Sequence, residues 1–347
     1  MNREPMNILL TGASGFAGAH MLKYLLENSA AEIYCPVTYM HGGHANRIPD
    51  LIEPSLLKRA HIFEFDLAEL ELTESIVAAH IDLIINFASE SHVDRSILNP
   101  KEFNLNNSSL MINLLEYARK MKHSAGFVHI STDEVYGSIP AGEKNVEWER
   151  IHLPSNPYSA GKSGQESLAI AYFKTYKIPL AIINCTNMVG EAQNQEKYIP
   201  KAINKILHDE ILTVDTDTDG KMGSRKYIYV GDLASAVWNT ATQLMNQVLE
   251  PETDKPLKVH IAGEIEITNL QLALYVGEVL GLEPRIEINP SPRPGYDLRY
   301  ELDTEKIRKL GWTEEKNIYD SLREIVNWTL THRNWLEADH VANSENN

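Results

Sequence analysis

A glycine-rich turn near the N-terminus constrains the fold more than any other feature of the 347-residue chain. Residues 6–10 form a short apolar run, residues 11–18 read Thr-Gly-Ala-Ser-Gly-Phe-Ala-Gly, and an amphipathic segment, 19–26, follows at once. This order predicts a buried strand, a tight turn and a helix. Glycines let the backbone approach a pyrophosphate, whose charge the helix N-terminus stabilises. The turn therefore predicts the first strand–helix unit of a dinucleotide-binding sheet.

Further apolar runs alternate with helical segments along the first half of the chain. Such alternation is typical of a parallel sheet with right-handed helical crossovers. Together with the glycine turn it predicts an α/β protein with a Rossmann-type doubly wound parallel sheet and a smaller C-terminal substrate-binding portion. Strands are expected at 33–39, 62–66, 82–87, 126–130 and 180–184, and helices at 69–79, 101–120 and 158–176.

The second half of the chain is less regular, which predicts a portion laid over the crevice at the strand ends. Short strands are expected at 211–214, 227–230, 258–261 and 285–288, interleaved with the last strands of the main sheet. We expect a dinucleotide-binding domain at 1–184, a mainly substrate-binding portion at 185–335 and a disordered tail at 336–347. The loops of the C-terminal portion are expected to hold Arg225, Arg293 and Arg299 as charges for a diphosphate, although each alone fits a surface arginine better.

Charge and composition exclude several classes of protein. The formal net charge of −16 argues against a nucleic-acid partner. No apolar run approaches membrane-spanning length and residues 1–6 lack signal-peptide features, so we expect a cytoplasmic protein with no membrane partner. The two cysteines, Cys35 and Cys185, are too few for a disulfide framework or a zinc cluster. His41 and His44 flank two glycines without a third ligand in sight, so no metal is expected.

Residues 131–137, Ser-Thr-Asp-Glu-Val-Tyr-Gly, come directly after the strand predicted at 126–130. Alone, this segment fits a polar turn in which Asp133 caps a helix. However, the crevice beyond the strand ends of an open α/β sheet binds ligands, and two adjacent carboxylates are costly to desolvate there. The polar loop 88–96 faces the same crevice, and a ligand contact and a solvated loop are comparable interpretations of it.

Tyr158 and Lys162 are four residues apart, so they share one face of the helix predicted at 158–176. A lysine ammonium close to a phenol favours the phenolate and lowers its pKa, which suits a proton acceptor near neutral pH. The same spacing is common on solvated helices, and in isolation that interpretation is the better one. The glycine turn and the acidic pair reverse the balance.

Taken together, these motifs resemble the extended short-chain dehydrogenase/reductase family, and within it the nucleotide-sugar 4,6-dehydratases. The similarity extends from Thr11 to about Trp328. The glycine turn and the Tyr-x-x-x-Lys pair mark only the superfamily. Residues 90–96, 131–137 and 196–200, with Arg-Pro-Gly at 293–295 followed by Asp297, Arg299 and Tyr300, are more specific. The Asp-Glu pair at 133–134 is typical of the dehydratases and absent from the related epimerases.

The resemblance implies NAD-dependent dehydration of a nucleotide-diphospho-hexose, with dTDP-glucose as first candidate, to the 4-keto-6-deoxy sugar. Tyr158 would accept the proton of the C4 hydroxyl while Lys162 tunes the phenol. Glu134 would remove the C5 proton, and Asp133 would protonate the departing C6 hydroxyl. Thr132 would hydrogen-bond the C4 oxygen.

The resemblance also implies two sets of binding residues. The cofactor would contact Gly12, Gly15, Phe16, Gly18, Asp66, Leu67, Phe87, Ala88, Ser89, Ser131, Tyr158 and Lys162. The substrate would contact Ser91, Thr132, Asn187, Lys197, Arg225, Arg293 and Tyr296.

A homodimer through a four-helix contact is also expected. The helices at 101–120 and 158–176 carry apolar residues beyond what one sheet face needs. On the first helix these are Leu110, Met111, Leu114 and Leu115.

Several residues depart from the family pattern. Cys35 stands where these enzymes carry an acid after the second strand, so NADP is an alternative to NAD. Met188, Val189, His260 and Tyr296 also differ, and the loop 215–223 is longer than usual. Because these changes cluster at the nucleotide and sugar pocket, UDP-, CDP- and GDP-hexoses are alternative substrates. Two further hypotheses are a nucleotide-sugar epimerase or decarboxylase and a non-catalytic dinucleotide-binding sensor.

Overall fold

The structure, a computed structural model, describes residues 5–73, 77, 79–121, 125–140, 142–246, 254–290 and 297–337. Its centre is a seven-stranded parallel sheet in the order β11-β6-β5-β4-β1-β2-β3. This order confirms the predicted Rossmann-type fold, since the chain leaves β1 towards one edge and later returns to the other. The strands are β1 (Asn7–Thr11), β2 (Glu32–Val37), β3 (Ala60–Glu64), β4 (Leu83–Asn86), β5 (Gly126–Thr132), β6 (Leu180–Cys185) and β11 (Leu257–Ile261).

Helices cover both faces of the sheet because its strands are apolar on both sides. In β1, Ile8 and Leu10 join one core and Leu9 joins the other, since successive strand side chains alternate. The helices are α1 (Phe16–Asn28), α2 (Arg47–Leu51), α3 (Val93–Leu98), α4 (Pro100–Lys120), α5 (Pro157–Tyr176), α6 (Tyr198–Leu207), α7 (Val230–Met245), α8 (Asn269–Leu280), α9 (Glu305–Lys309) and α10 (Ile318–Thr331).

The C-terminal portion packs α6, α8 and α10 around a core of its own. Three two-stranded sheets complete it, pairing β10 with β7, β12 with β9 and β13 with β8. In the same stretch of chain, β11 joins the main sheet beside β6. The short strands are β7 (Met188–Val189), β8 (Leu212–Asp215), β9 (Ser224–Lys226), β10 (Ile228–Tyr229), β12 (Glu266–Thr268) and β13 (Ile286–Asn289).

Several predicted elements have shifted ends. Helix α1 begins at Phe16 rather than 19, because Gly15 occupies the N-cap position and its N–H donates to Gly12 O at 2.9 Å. Strand β3 ends at Glu64, so Asp66 lies beyond the strand and not at its end. Strand β10 is shorter than predicted because Val230 already begins α7. The helix predicted at 69–79 falls partly, and the tail at 336–347 mostly, outside the described residues.

The apolar residues assigned to a dimer contact belong instead to the core of the chain itself. Leu110, Met111, Leu114 and Leu115 pack under the sheet and are at most 5% exposed. The expectation that they exceed the needs of one sheet face is therefore wrong. On α4 the exposed apolar residues are Leu105 and Ile112, which lie nearly two turns apart on one side of the helix.

Candidate active site

A cavity of about 790 Å³ lies at the carboxyl ends of β1, β4, β5 and β6. The C-terminal portion forms its other wall, where Arg225 of β9 and Tyr227 face the sheet. This is the position at which open α/β sheets bind their ligands. All cofactor residues named above line the cavity.

The glycine turn is shaped for close approach to a ligand. Gly12 has φ +74°, a left-handed conformation that favours glycine. A Cβ on Gly18 would lie 2.1 Å from Gly12 O, so no larger residue fits. Below the turn, Thr11 Oγ1 donates to Asn86 Oδ1 at 2.7 Å and accepts from Ala88 N at 3.2 Å. A tight turn ahead of a helix N-terminus fits the pyrophosphate of a dinucleotide.

Residues 132–137 turn sharply after β5. Thr132 caps a short 3-10 helix, Asp133–Tyr136, because its Oγ1 accepts from Glu134 N at 3.3 Å. Gly137 ends the turn with φ +71°. Thr132 and Glu134 line the cavity, whereas Asp133 lies just beneath its surface and is 2% exposed. The predicted polar turn is therefore present, but its first acid is buried.

Burial, followed by repulsion from Glu134, raises the pKa of Asp133 to about 7. Asp133 Oδ1 accepts from Thr132 Oγ1 at 3.1 Å, while Oδ2 has no hydrogen-bond partner within the described part of the chain. A carboxyl group in this environment holds a proton near neutral pH and has an oxygen left to donate it. Glu134 is less buried, and its Oε2 accepts from Asn156 Nδ2 at 3.4 Å. The two adjacent acids thus occupy different environments.

Tyr158 and Lys162 lie on the first turns of α5, whose start is fixed by a capping box at Asn156 and Ser159. Burial raises the pKa of Tyr158, and the charge of Glu134 raises it further, while a hydrogen bond with Thr132 acts in the opposite direction. The net shift of the Tyr158 pKa is therefore upward, opposite to the direction expected from the neighbouring lysine. Lys162 Nζ instead donates to Ile130 O at 2.7 Å, and burial lowers the pKa of Lys162 to about 8.

A buried ion pair lies behind residues 132–137, which we call the acidic turn. Glu166, one helical turn after Lys162, accepts from Lys258 Nζ at 2.8 Å, Ser131 Oγ at 2.5 Å and Asn184 Nδ2 at 2.7 Å. Burial acts to raise the pKa of Glu166, but Lys258 and the other partners bring it below its ordinary value. Glu166 is therefore a buried carboxylate that ties the end of β5 to α5 and β11.

This ion pair contacts both ends of the acidic turn. Asn184, which donates to Glu166, also donates to Thr132 O at 2.9 Å, before the two acids. Lys258 Nζ lies 5.1 Å from the ring centroid of Tyr136, the last residue of the short helix. Asp133 and Glu134 are thus held between two anchored residues.

The residues assigned to the substrate divide into two groups. Ser91, Thr132, Asn187, Lys197 and Arg225 line the cavity. Arg225 is not in a loop as predicted: it belongs to β9, which pairs with β12. Its guanidinium donates to Asp297 O and Leu298 O at 2.7 and 2.9 Å and lies 4.7 Å from the Tyr300 ring centroid. Arg293 and Tyr296 fall outside the described residues.

Three residues near the cavity escaped the sequence analysis. Glu166 follows Lys162 by four residues, so helical spacing is a signal that could have found it. Lys258 lies in an apolar strand, where a charged residue is itself a signal. Arg47 follows a glycine-rich loop that has no periodic pattern. The contacts of Arg47 link segments that are distant from one another in the chain.

A Rossmann-type sheet with a glycine turn, a Tyr-x-x-x-Lys pair on a helix and a C-terminal wall over the crevice defines an extended short-chain dehydrogenase/reductase. The family described as GDP-mannose 4,6 dehydratase matches residues 9–325, and the chain belongs to it. It is accordingly a hydro-lyase of the nucleotide-sugar 4,6-dehydratase class. The resemblance stated from the motifs is confirmed.

Individual relatives agree with this assignment. The chain is similar to dTDP-glucose 4,6-dehydratase of Streptomyces niveus, with 32% identity over 339 residues that cover 96% of this chain and 95% of that one. It is equally similar, at 32% over 339 residues, to a trifunctional UDP-glucose 4,6-dehydratase of Arabidopsis thaliana, covering 96% of this chain and 48% of that one. Among solved structures, dTDP-glucose 4,6-dehydratase of Streptomyces venezuelae with NAD bound gives a TM-score of 0.82 at 30% identity, covering 96% and 100% of the two chains.

Proposed function

We propose that this enzyme dehydrates a nucleoside-diphospho-hexose to its 4-keto-6-deoxy derivative with NAD as cofactor, and that dTDP-glucose is the first candidate substrate. The observation that carries the proposal is the acidic turn. Asp133 is buried with a pKa of about 7, beside the more accessible Glu134. One acid that holds its proton and one that faces the cavity suit an elimination that needs both an acid and a base.

The first step is proton removal from the sugar C4 hydroxyl by Tyr158. Its phenol contacts Thr132, which would hydrogen-bond the same sugar oxygen. Because burial raises the pKa of Tyr158, the proton acceptor needs additional positive charge when the complete complex forms. The glycine turn and the other cavity residues assigned to the cofactor would hold NAD, which when bound would supply the hydride chemistry of the reaction.

The second step is elimination of water across C5 and C6. The 4-keto group acidifies the C5 proton, which Glu134 removes as a carboxylate. Asp133 gives its proton to the C6 hydroxyl, which leaves as water. The acids then carry one proton on Glu134 and none on Asp133. Tyr158 meanwhile holds the proton of the C4 hydroxyl. Reduction at C6 would be accompanied by protonation of C5, for which Glu134 returns the proton it removed. Tyr158 then releases its proton to solvent and Asp133 takes one up, so that all three residues regain their starting state.

The proposed substrate class rests on positive charges in the part of the cavity wall that the C-terminal portion forms. Lys197 and Arg225 line the cavity opposite the glycine turn and would meet the diphosphate, together with Arg293. Ser91, Asn187 and Tyr296 complete the proposed substrate contacts. The dTDP-glucose relatives favour dTDP-glucose, and the Arabidopsis relative favours UDP-glucose as second candidate. The acidic pair argues against an epimerase, since C5–C6 elimination is the chemistry that needs it.

A panel of dTDP-, UDP-, CDP- and GDP-hexoses tests the proposal. Products are detected by the alkali-induced absorbance of 4-keto-6-deoxy sugars and by loss of one water in the mass spectrum. We expect turnover of dTDP-glucose without net consumption of NAD, because the hydride is returned. Release of NADH in step with product would contradict the dehydratase chemistry, and turnover of another hexose alone would correct only the substrate.

We also infer a division of labour along the chain, with residues 1–184 mainly binding the dinucleotide and 185–335 mainly binding the substrate. The glycine turn in the first part and Arg225 in the second support this division.

A homodimer and a cytoplasmic location complete the proposal. Among the described residues, no helix is long and apolar enough to cross a membrane.

A further inference from the structure

Arg47, at the start of α2, is 0% exposed although it carries a charge. Its guanidinium donates to Ser14 O at 2.5 Å, Gly42 O at 2.9 Å and Ala192 O at 3.0 Å. It also donates to Asn194 Oδ1 at 2.9 Å. One side chain therefore joins the glycine turn, the loop after β2 and the loop before α6. The most distant of these partners, Asn194, lies 147 residues after Arg47 in sequence.

The atoms that Arg47 holds belong to the wall of the cavity. Ser14, Gly42 and Asn194 line it directly. Ala192 adopts φ +56°, a left-handed conformation that costs a non-glycine residue free energy unless its surroundings impose it. Arg47 Nε donates to the carbonyl of this same residue, which helps to hold it in place. The shape of this wall therefore depends on the planar donor fork of arginine.

Trp335 covers Arg47 from the C-terminal side. The guanidinium lies 5.0 Å from the Trp335 ring centroid, within the range of a cation–π contact. The Trp335 N–H donates to Asp50 Oδ2 at 2.9 Å, and its ring lies 4.5 Å from that of His44. Trp335 thus fixes the loop and helix that carry Arg47 and separates the guanidinium from solvent.

The loop that Arg47 holds follows β2, where an acidic residue commonly holds the cofactor ribose. In a Rossmann-type site the adenosine end lies beyond β2. The segment 36–43 that lines the cavity there contains no Asp or Glu, and Cys35 is buried in the strand. The loop lines the cavity without a carboxylate to bind the ribose, so its own position must be fixed by other contacts.

We propose that Arg47, covered by Trp335, is a positioning residue that holds the three loops around the adenosine end of the dinucleotide and thereby slows its dissociation. The proposal rests on the cofactor and not on the identity of the sugar substrate. A hydride that is returned within each cycle makes tight retention useful, because a released cofactor would interrupt the reaction.

The test measures NAD binding by Arg47→Lys, Trp335→Leu and Arg59→Gln variants of the full chain. Arg47→Lys keeps the charge but loses the fork. Trp335→Leu leaves Arg47 in place and removes the covering ring, with its hydrogen bond to Asp50 and its contact with His44. Arg59→Gln is the matched control, because Arg59 also donates to carbonyls, those of Leu26 and Ala31, near the opposite end of β2. NAD content after purification, Kd by fluorescence and thermal midpoints are recorded for each.

We expect Arg47→Lys and Trp335→Leu to lose most of the copurified NAD and to raise its Kd about tenfold or more, the scale of one lost charge-assisted hydrogen bond. Arg59→Gln should lower the thermal midpoint without changing the Kd. If Arg47→Lys does not fold, Trp335→Leu decides. Unchanged Kd values in the foldable variants, or an equal rise in Arg59→Gln, would overturn the proposal, and neither result depends on which sugar is dehydrated.

Discussion

Asp133 and Glu134 show how two neighbouring residues of similar chemistry acquire different roles. The turn after β5 directs Asp133 under the cavity surface and Glu134 towards the cavity. Desolvation penalises the charged form of Asp133, and the adjacent carboxylate adds to that penalty. Position alone therefore gives Asp133 the environment that the proposed general acid requires.

The buried acid should also cost stability above neutral pH. The pKa of Asp133 rises from 3.8 in the unfolded chain to about 7 in the folded one, so between these values only the folded chain keeps the proton. Stability from this group is thus present below about pH 4 and lost as pH rises towards 7, by at most about 4 kcal/mol. Asp133→Asn should therefore gain stability relative to wild type when urea unfolding is measured at pH 8 instead of pH 4.5.

A control separates this effect from general charge removal. Asp209 has an exposed side chain, so Asp209→Asn should show a nearly constant difference from wild type at the two pH values. A gain for Asp133→Asn that is equal at pH 4.5 and pH 8 would show that its carboxyl is not desolvated in the folded protein.

At the residue scale, residue types and their spacings predict where side chains lie better than they predict pKa values. The cofactor residues, Thr132, Glu134, Tyr158 and Lys162 were placed around one cavity from motifs alone. The pKa of Tyr158 was predicted in the wrong direction, because spacing shows that Lys162 is near but not that its ammonium binds Ile130 O. Burial decides whether the pKa of Tyr158 rises or falls, and burial depends on how the whole chain packs.

At the scale of elements, the acidic turn depends on α5 and β11 as much as on β5. Glu166 from α5 and Lys258 from β11 form a pair that is at most 3% exposed on either side chain. Burying two charges is costly, and removing one partner leaves the other uncompensated. Here the pair also anchors Ser131 directly and Tyr136 by its ring.

Removing Lys258 alone should therefore be more harmful than removing both charges. We expect Lys258→Met to destabilise the protein by about 3–5 kcal/mol, since Glu166 is left buried and unpaired, and the double variant Lys258→Met/Glu166→Gln to recover part of that loss. Urea unfolding of both single variants and the double variant measures the coupling. The exposed pair of Lys309 and Glu305 provides the control, because Lys309→Met should cost about 1 kcal/mol or less.

If the stability losses of the two single variants add up in the double variant, the buried pair is not coupled. In all variants that fold, we expect elimination to be slowed more than C4 oxidation, because the pair anchors the acidic turn. Tyr158 is held separately, through its N–H to Ser96 Oγ at 3.1 Å.

Elements were predictable where one pattern dominated. The apolar runs of the central strands and the glycine turn before α1 gave correct types and an error of a few residues at the ends. Arg225 was misplaced because β9 is only three residues long and pairs with β12, some forty residues later in the chain. Such pairing leaves no periodic pattern to read.

At the scale of the whole molecule, the cavity belongs to both halves of the chain. The sheet contributes the glycine turn and the acidic turn, and the C-terminal portion contributes Arg225 and Lys197. The motif order predicts that both halves of the chain contribute residues to one cavity, and the structure places them there. The contacts of Arg47 and Trp335 could not be predicted, because they join segments with no shared sequence signal.

Subunit association is predicted through the exposed side of α4. Leu105 and Ile112 are 57% and 39% exposed and lie on one side of the helix, so pairing with a second copy would bury both. Sedimentation should show a dimer at micromolar concentration, and Leu105→Glu should shift it to monomer. Leu274→Glu, on the exposed side of α8, is the control and should leave the dimer intact. A monomeric wild-type protein would contradict the prediction.

The most direct test of the central claim follows the C5 proton of the sugar in deuterated solvent, together with transient NADH absorbance at excess substrate. Glu134→Gln should still oxidise C4, since Tyr158 and Lys162 are intact, but should lose exchange at C5. Asp133→Asn should keep some exchange while elimination falls by about 10²–10⁴-fold, the usual contribution of a general acid. If Glu134→Gln exchanged the C5 proton as fast as wild type, the base would lie elsewhere and the assignment of the acidic turn would be wrong.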